Sequence, residues 1–363
     1  MPLTKASAGV LNIDDLYGFR NRIINGDMRI DQRNAGASAN SPSTASLAYT
    51  LDRWEVRGDT EGVFSIQQNS SAPAGFVNSL KITVTTIDSS LGATQLYNLS
   101  QKIEGYNVAD LNWGTANAKT VTLSFWVRSS VTGTFGGALR NSASNRSYPF
   151  TYTISVADTW EQKTVTVAGD TTGTWLTTNG LGINLSFSFG SGADRSGTAG
   201  AWVAVNNSSA TGATNLMATL NATWYITGVQ LEVGSVATPF ERRPYGTELM
   251  LCYRYCFRYC LGNSDTALGI GSYYNSGTLF WTTCLPTNMR GSITATIAGG
   301  TNYYVFTRNG ADDTFDSPIL NGSNSQYNVV EFLEDGGLSG TGGDSGSVRT
   351  NNASASIVLS AEL

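Results

Sequence analysis

The stretch Val121–Ser129, VTLSFWVRS, alternates without a break. Val121, Leu123, Phe125 and Val127 share one face; Thr122, Ser124, Trp126 and Arg128 share the other. A strict period of two belongs to an extended strand with one face in a core. The same pattern returns, less strictly, in NSLKITVTT, TYTISVA, EQKTVTVAG, GINLSFSFG and TWYITGVQLEVG. Turn clusters such as AGDTTG and GSGADRSGTAG separate these runs. About ten strands fit between Ala48 and Val233, with one helical turn near GYNVADLNWG. The expectation is an all-β chain whose residues 25–238 form a jelly-roll β-sandwich. Aromatic residues at 10% and 40% hydrophobic residues are enough to fill such cores.

The period changes after the sandwich. Pro239 and Pro244 stop strand pairing on either side of FERRPYG. Leu249, Cys252, Tyr253, Cys256 and Cys260 then fall on one helical face, which predicts a helix over 247–260 within a connector at 239–262. Thr247 caps its start, Glu248 sits in the first turn and Gly262 ends it. A helix this short must bury its Cys/Tyr face against something. Strands resume in TALGIGSYY, GTLFWTTCL, SITATIAG, NYYVFTRNG, YNVVEFLED and ASIVLSAEL. They predict a second β-sandwich over 263–363, with GGLSGTGGDSGSVRTNN as a flexible loop. Residues 1–24 read as a lead-in. Its Leu11, Ile13, Leu16 and Phe19 suit docking onto another surface or packing on the chain's own domain.

Charge narrows the partners. The net charge is -5, and no Lys/Arg run exceeds Arg242-Arg243, so the footprint of a nucleic-acid binder is missing. No apolar run has the length of a membrane span. The N-terminus carries no signal-peptide segment, so the expectation is synthesis in a cytoplasm without an export address.

Chemistry narrows further. The chain has no histidine, which removes the usual general base and the commonest zinc ligand. GGDSGS at 342–347 imitates a serine-protease nucleophile, but nothing takes the proton of Ser345. Cys252, Cys256, Cys260 and Cys284 lack the paired knuckles of structural zinc sites and are expected as free thiols. Asp312, Asp313 and Asp316 lack calcium-loop spacing and read as a solvated hairpin turn. No enzyme activity, metal or cofactor is expected. Exposed aromatics are the more telling feature. Tyr273, Tyr274, Trp281, Tyr303 and Tyr304 lie in two strand-like runs, and one Tyr of each pair can face away from the core. With Asn and Ser nearby, and with Asp312 and Asp313, they suit sugar rings or, equally, a subunit interface.

Several segments carry a resemblance. NRIINGDMRIDQRNAG, YTLDRW, QKIEGYNVADLNWG, DTWEQKTVTVAGDTTGTW, CLPTNMRGS and SASIVLSAEL look like parts of bacteriophage tail-fibre and related virion appendage proteins. The long run VQLEVGSVATPFERRPYGTELMLC is the most specific of them. The sandwich resembles a carbohydrate-binding-module jelly roll. The resemblance implies a non-enzymatic virion fibre, usually a homotrimer. Its N-terminal end would attach to other virion proteins, and its distal tip would meet a host-surface glycan. No coiled-coil or β-helical shaft is present, so a short tail, neck or head fibre is expected. A decoration protein without a receptor and a capsule hydrolase are the alternatives. Within such a trimer, Leu249, Cys252, Tyr253, Cys256 and Cys260 would form the joint, with Arg242 or Arg243 pairing Glu241 or Glu248 of a neighbour.

Overall fold

The computed structural model describes residues 19–324 and 328–363. The expected docking residues Leu11, Ile13 and Leu16 lie outside the described residues. The chain divides into two units, one ending at Arg243 and one running Pro244–Glu362.

Strands are numbered along the chain. In the first unit, β1 (Ala39–Asn40), β4 (Val63–Asn69), β5 (Ser79–Thr86), β14 (Thr223–Val233), β7 (Val121–Ser129) and β10 (Glu161–Val167) form one antiparallel sheet in that order. The second sheet runs β2 (Leu47–Tyr49), β3 (Trp54–Arg57), β6 (Leu96–Glu104), β11 (Leu181–Ser191), β8 (Gly133–Arg140), β9 (Ser147–Ile154). A short parallel pair, β12 (Ser196–Gly197) and β13 (Ser209–Ala210), belongs to the excursion between β11 and β14. Strand β7 has the bounds its alternation predicts, and Val121, Leu123, Phe125 and Val127 are fully buried. The facing sheets meet through edge-to-face rings: Phe64 with Phe189 at 5.4 Å and Phe125 with Phe187 at 5.0 Å. Such pairs add about 0.5–1.5 kcal/mol each beyond the area they bury. The helical turn expected near residue 106 is a pair of 3-10 turns, Gly105–Asn107 and Ala109–Leu111.

The sandwich reaches beyond its expected limits at both ends. Ile23 lies in its core, so the lead-in segment gives up its last residues to the sandwich. Glu241 accepts from the backbone N–H groups of Arg20 and Asn21 at 3.1 and 3.0 Å. Arg243 donates to the Ile23 carbonyl at 3.2 Å and pairs with Glu241 at 3.1 Å. The FERR segment therefore ties down the start of its own sandwich. Of the pairings expected with a neighbouring chain, Arg243 with Glu241 is made within the chain.

The second unit opens with α1 (Tyr245–Tyr253), followed by β15 (Cys256–Leu261). The predicted helix over 247–260 is thus a correction: it ends seven residues early and becomes a strand. Pro244 holds the N-cap position, with Thr247 inside the first turn. Strand β15 joins β24 (Ser356–Ser360) and β18 (Thr294–Ala298) in a three-stranded sheet. The other sheet runs β20 (Ala311–Phe315), β19 (Tyr304–Arg308), β23 (Ser345–Thr350), β16 (Ala267–Tyr273), β17 (Thr278–Cys284), β22 (Val329–Asp335), β21 (Ile319–Asn324). The core of this unit holds Cys260, Trp281, Tyr304, Phe332 and Leu359. Part of the run expected as a flexible loop is β23, an interior strand between β19 and β16.

Candidate functional site

Strand alternation sorts the predicted aromatic residues. Tyr273 is 2% exposed and its neighbour Tyr274 is 77% exposed. Tyr304 is fully buried, while Tyr303, just before β19, is half-buried beside Gly300. Each pair thus puts one ring in the core. Tyr273, Trp281 and Tyr304 are corrections to the expected ligand set, because they are core residues. The Tyr304 hydroxyl donates to the Ala298 carbonyl at 2.8 Å, joining the two sheets of the unit.

The acidic pair also separates. Asp313 belongs to a closed network. It accepts from the Tyr273 hydroxyl at 2.9 Å and pairs with Arg308 at 3.0 Å, and Arg308 pairs with Asp344 at 3.0 Å. Burial, reinforced by the Asp313 carboxylate, pushes the Tyr273 phenol up to about 12. Asp312 is exposed and accepts from Thr307 Oγ1 at 2.7 Å. Both acids lie in β20, not in a turn; the hairpin turn is Asn309–Gly310. Among the described residues no group of acids and cysteines has the arrangement of a metal site.

What the sheet does bring together is its outer face. Ser272 lies opposite Phe280 on β17 and Ser345 on β23. Ile270 and Tyr274, two residues to either side, point the same way. The Tyr274 ring meets Phe280 edge-on at 5.8 Å. Beside it is a shallow depression of about 270 Å³ lined by Ile270, Gly271, Ser272, Phe280, Trp281, Thr282 and Ser345, so the expected Trp281 borders it although its side chain is buried. Ile270 is 72% exposed. The result is a mixed surface, Ile270 and Phe280 interleaved with three hydroxyls, beside one open aromatic ring. Ile270, Ser272, Phe280 and Ser345 were not singled out as ligand residues from sequence; the cross-strand register that gathers them is long-range. Ser345 Oγ donates to the Gly343 carbonyl at 3.3 Å.

The proposed trimer joint is also rearranged. Cys252 lies on α1, whereas Cys256 and Cys260 lie on β15, and all three are buried. Cys256 pairs with Ser360 but Cys260 with Ile357, so a bulge near Tyr259 turns the two cysteines to opposite faces. A single helical stripe of cysteines does not exist. Leu249 and Tyr253 are half-buried, and Met250 is 42% exposed.

No protein-family model matches the chain, and no curated protein matches it. Solved structures similar to it include the enzymatically active domain of tailspike protein 4 from bacteriophage CBA120. That match has a TM-score of 0.32 and 12% identity, covering 59% of this chain and 22% of that one. A putative sugar-binding protein from Bacteroides thetaiotaomicron matches with a TM-score of 0.33 and 12% identity, over 59% of this chain and all of that one. The family 11 carbohydrate-binding module from Clostridium thermocellum, bound to a mixed-linked tetrasaccharide, matches with a TM-score of 0.28 and 10% identity. It covers 55% of this chain and 98% of that one. Likeness at this level identifies neither a ligand nor an assembly.

Proposed function

We propose that this chain is a structural fibre protein of a phage virion that attaches the particle to a host-surface glycan without cleaving it. The observation that carries the reading is the outer face of the seven-stranded sheet. Tyr274 standing open, with Ile270 and Phe280 beside it, suits the apolar face of a sugar ring, and Ser272, Thr282 and Ser345 suit its hydroxyls. The resemblance of the sandwich and connector segments to virion appendage proteins supports the setting. A homotrimer would present three such faces, and effective concentration would turn weak single sites into firm attachment. The lack of any histidine to activate Ser345 supports binding in place of catalysis.

Purified protein should run as a trimer by light scattering and should slow adsorption of the particle that carries it. Tyr274→Ala should keep the trimer mass and lose the competition. Full competition by that variant would remove the tip as the receptor-binding face.

A further inference from the structure

The chain enters the sandwich through residues 19–24 and leaves it through residues 238–243, and both segments lie against the end of β14. The Arg22 N–H donates to the Leu231 carbonyl at 2.9 Å. Asn21 Nδ2 donates to the Val229 carbonyl at 3.0 Å, and Asn21 Oδ1 accepts from the Leu231 N–H at 3.0 Å. The outgoing segment is gripped by the same strand. The Glu241 N–H donates to Gln230 Oε1 at 2.7 Å. Glu232 accepts from the N–H and the hydroxyl of Thr238 at 2.8 and 2.6 Å. Gln230 and Glu232 are buried.

The two segments also hold each other. Arg20 Nη2 donates to the Pro239 carbonyl at 3.3 Å. The Glu241 carboxylate takes the backbone N–H groups of Arg20 and Asn21, and Arg243 donates to the carbonyls of Asn21 and Ile23. The Arg243 guanidinium lies over the Phe19 ring at 4.8 Å. Partners rise together in number, from Arg20 with Pro239 to Ile23 with Arg243, so the segments run side by side in the same direction. Tension applied ahead of Phe19 and beyond Arg243 therefore slides one segment along the other. Bonds across a sliding contact share the load, whereas bonds at the end of a peeling hairpin break one at a time. Asn21 and Arg243 are buried, so these charge-assisted bonds are also poorly screened by solvent.

We propose that Asn21, Glu241 and Arg243 form a load-bearing clamp, which carries tension across one corner of the sandwich and keeps it off the core sheets. While the clamp holds, the path from residue 19 to residue 244 is short, and the sandwich hangs from it as a side branch. Once the clamp opens, tension reaches β14 and the segment after Ile24, and the sandwich unravels, releasing roughly 75 nm of chain. The clamp accounts for the dense bonding of residues 238–243, which belong to no sheet. The inference goes beyond the attachment reading and does not depend on it.

The test is single-molecule stretching of the full chain with handles at its two ends. The sandwich step is told from that of the second unit by its greater length. At fixed load, Glu241→Gln should make the sandwich step appear about tenfold faster or more. Phe19→Ala removes an exposed ring and leaves the core untouched, and it should speed the step about two- to fivefold. A second pair of handles, on peptide tags inserted at the exposed loop residues Ser90 and Ala199, loads the sandwich without loading the clamp. Along that direction both variants should unfold at the parent's rate. Circular dichroism checks that each variant folds. Unchanged rates in end-to-end pulling would overturn the proposal. Equal acceleration along both directions would also overturn it, because the contacts would then serve only the general stability of the sandwich.

Discussion

Glu334 lies near the end of β22, where burial and the Asp316 and Asp335 carboxylates push it up to about 7. In the unfolded chain its ordinary value is 4.5. Between these values the folded chain keeps a proton that the unfolded chain has released. Stability from this group is therefore greatest at low pH and falls as pH rises through the window. Glu334→Gln should flatten that fall and melt higher than the parent at pH 8, read by thermal scans from pH 5 to 8. An unchanged pH profile would remove Glu334 as its source. The cysteines give a second test at this scale. Cys252, Cys256 and Cys260 are buried, and burial pushes the Cys260 thiol up to about 11; Cys284 is exposed. A thiol reagent should modify one of the four in the native protein and all four in denaturant. Fast native reaction of three or more would contradict the placement of β15.

Among elements, legibility followed the strength of the local period. β7 was readable to the residue because its apolar and polar side chains alternate strictly, although Thr122 and Ser124 are buried as well. β15 was not, because a four-residue cysteine spacing is same-face in a helix and in a strand alike, and β24 offered a partner that the local pattern cannot reveal. Glycine hid two more strands. In β8, a Cβ on Gly137 would stand 2.3 Å from the Ser186 carbonyl oxygen and 2.4 Å from the Phe150 ring, so the glycine admits both the neighbouring strand's backbone and an aromatic side chain. In β23, a Cβ on Gly346 would stand 2.1 Å from the Thr307 carbonyl oxygen. Gly346→Val should destabilise the second unit by about 1–3 kcal/mol, measured by urea unfolding. A neutral outcome would mean that β23 does not run as an interior strand. The candidate face was least legible of all. Alternation could say that one tyrosine of each pair points outward, but not that Tyr274 would be joined by Ile270, Phe280 and Ser345.

At the scale of the molecule, two β units share one chain. The second offers an open aromatic ring, Tyr274, beside a depression lined by apolar side chains and hydroxyls. The chain has no histidine, and attachment without cleavage is the claim to test. The most direct measurement incubates the intact protein with surface polysaccharide from the host of the particle that carries it. Bound polysaccharide and newly formed reducing ends are followed in the same samples. Saturable binding with no rise in reducing ends is the predicted result. A steady release of reducing ends, or no binding at any accessible concentration, would contradict the account.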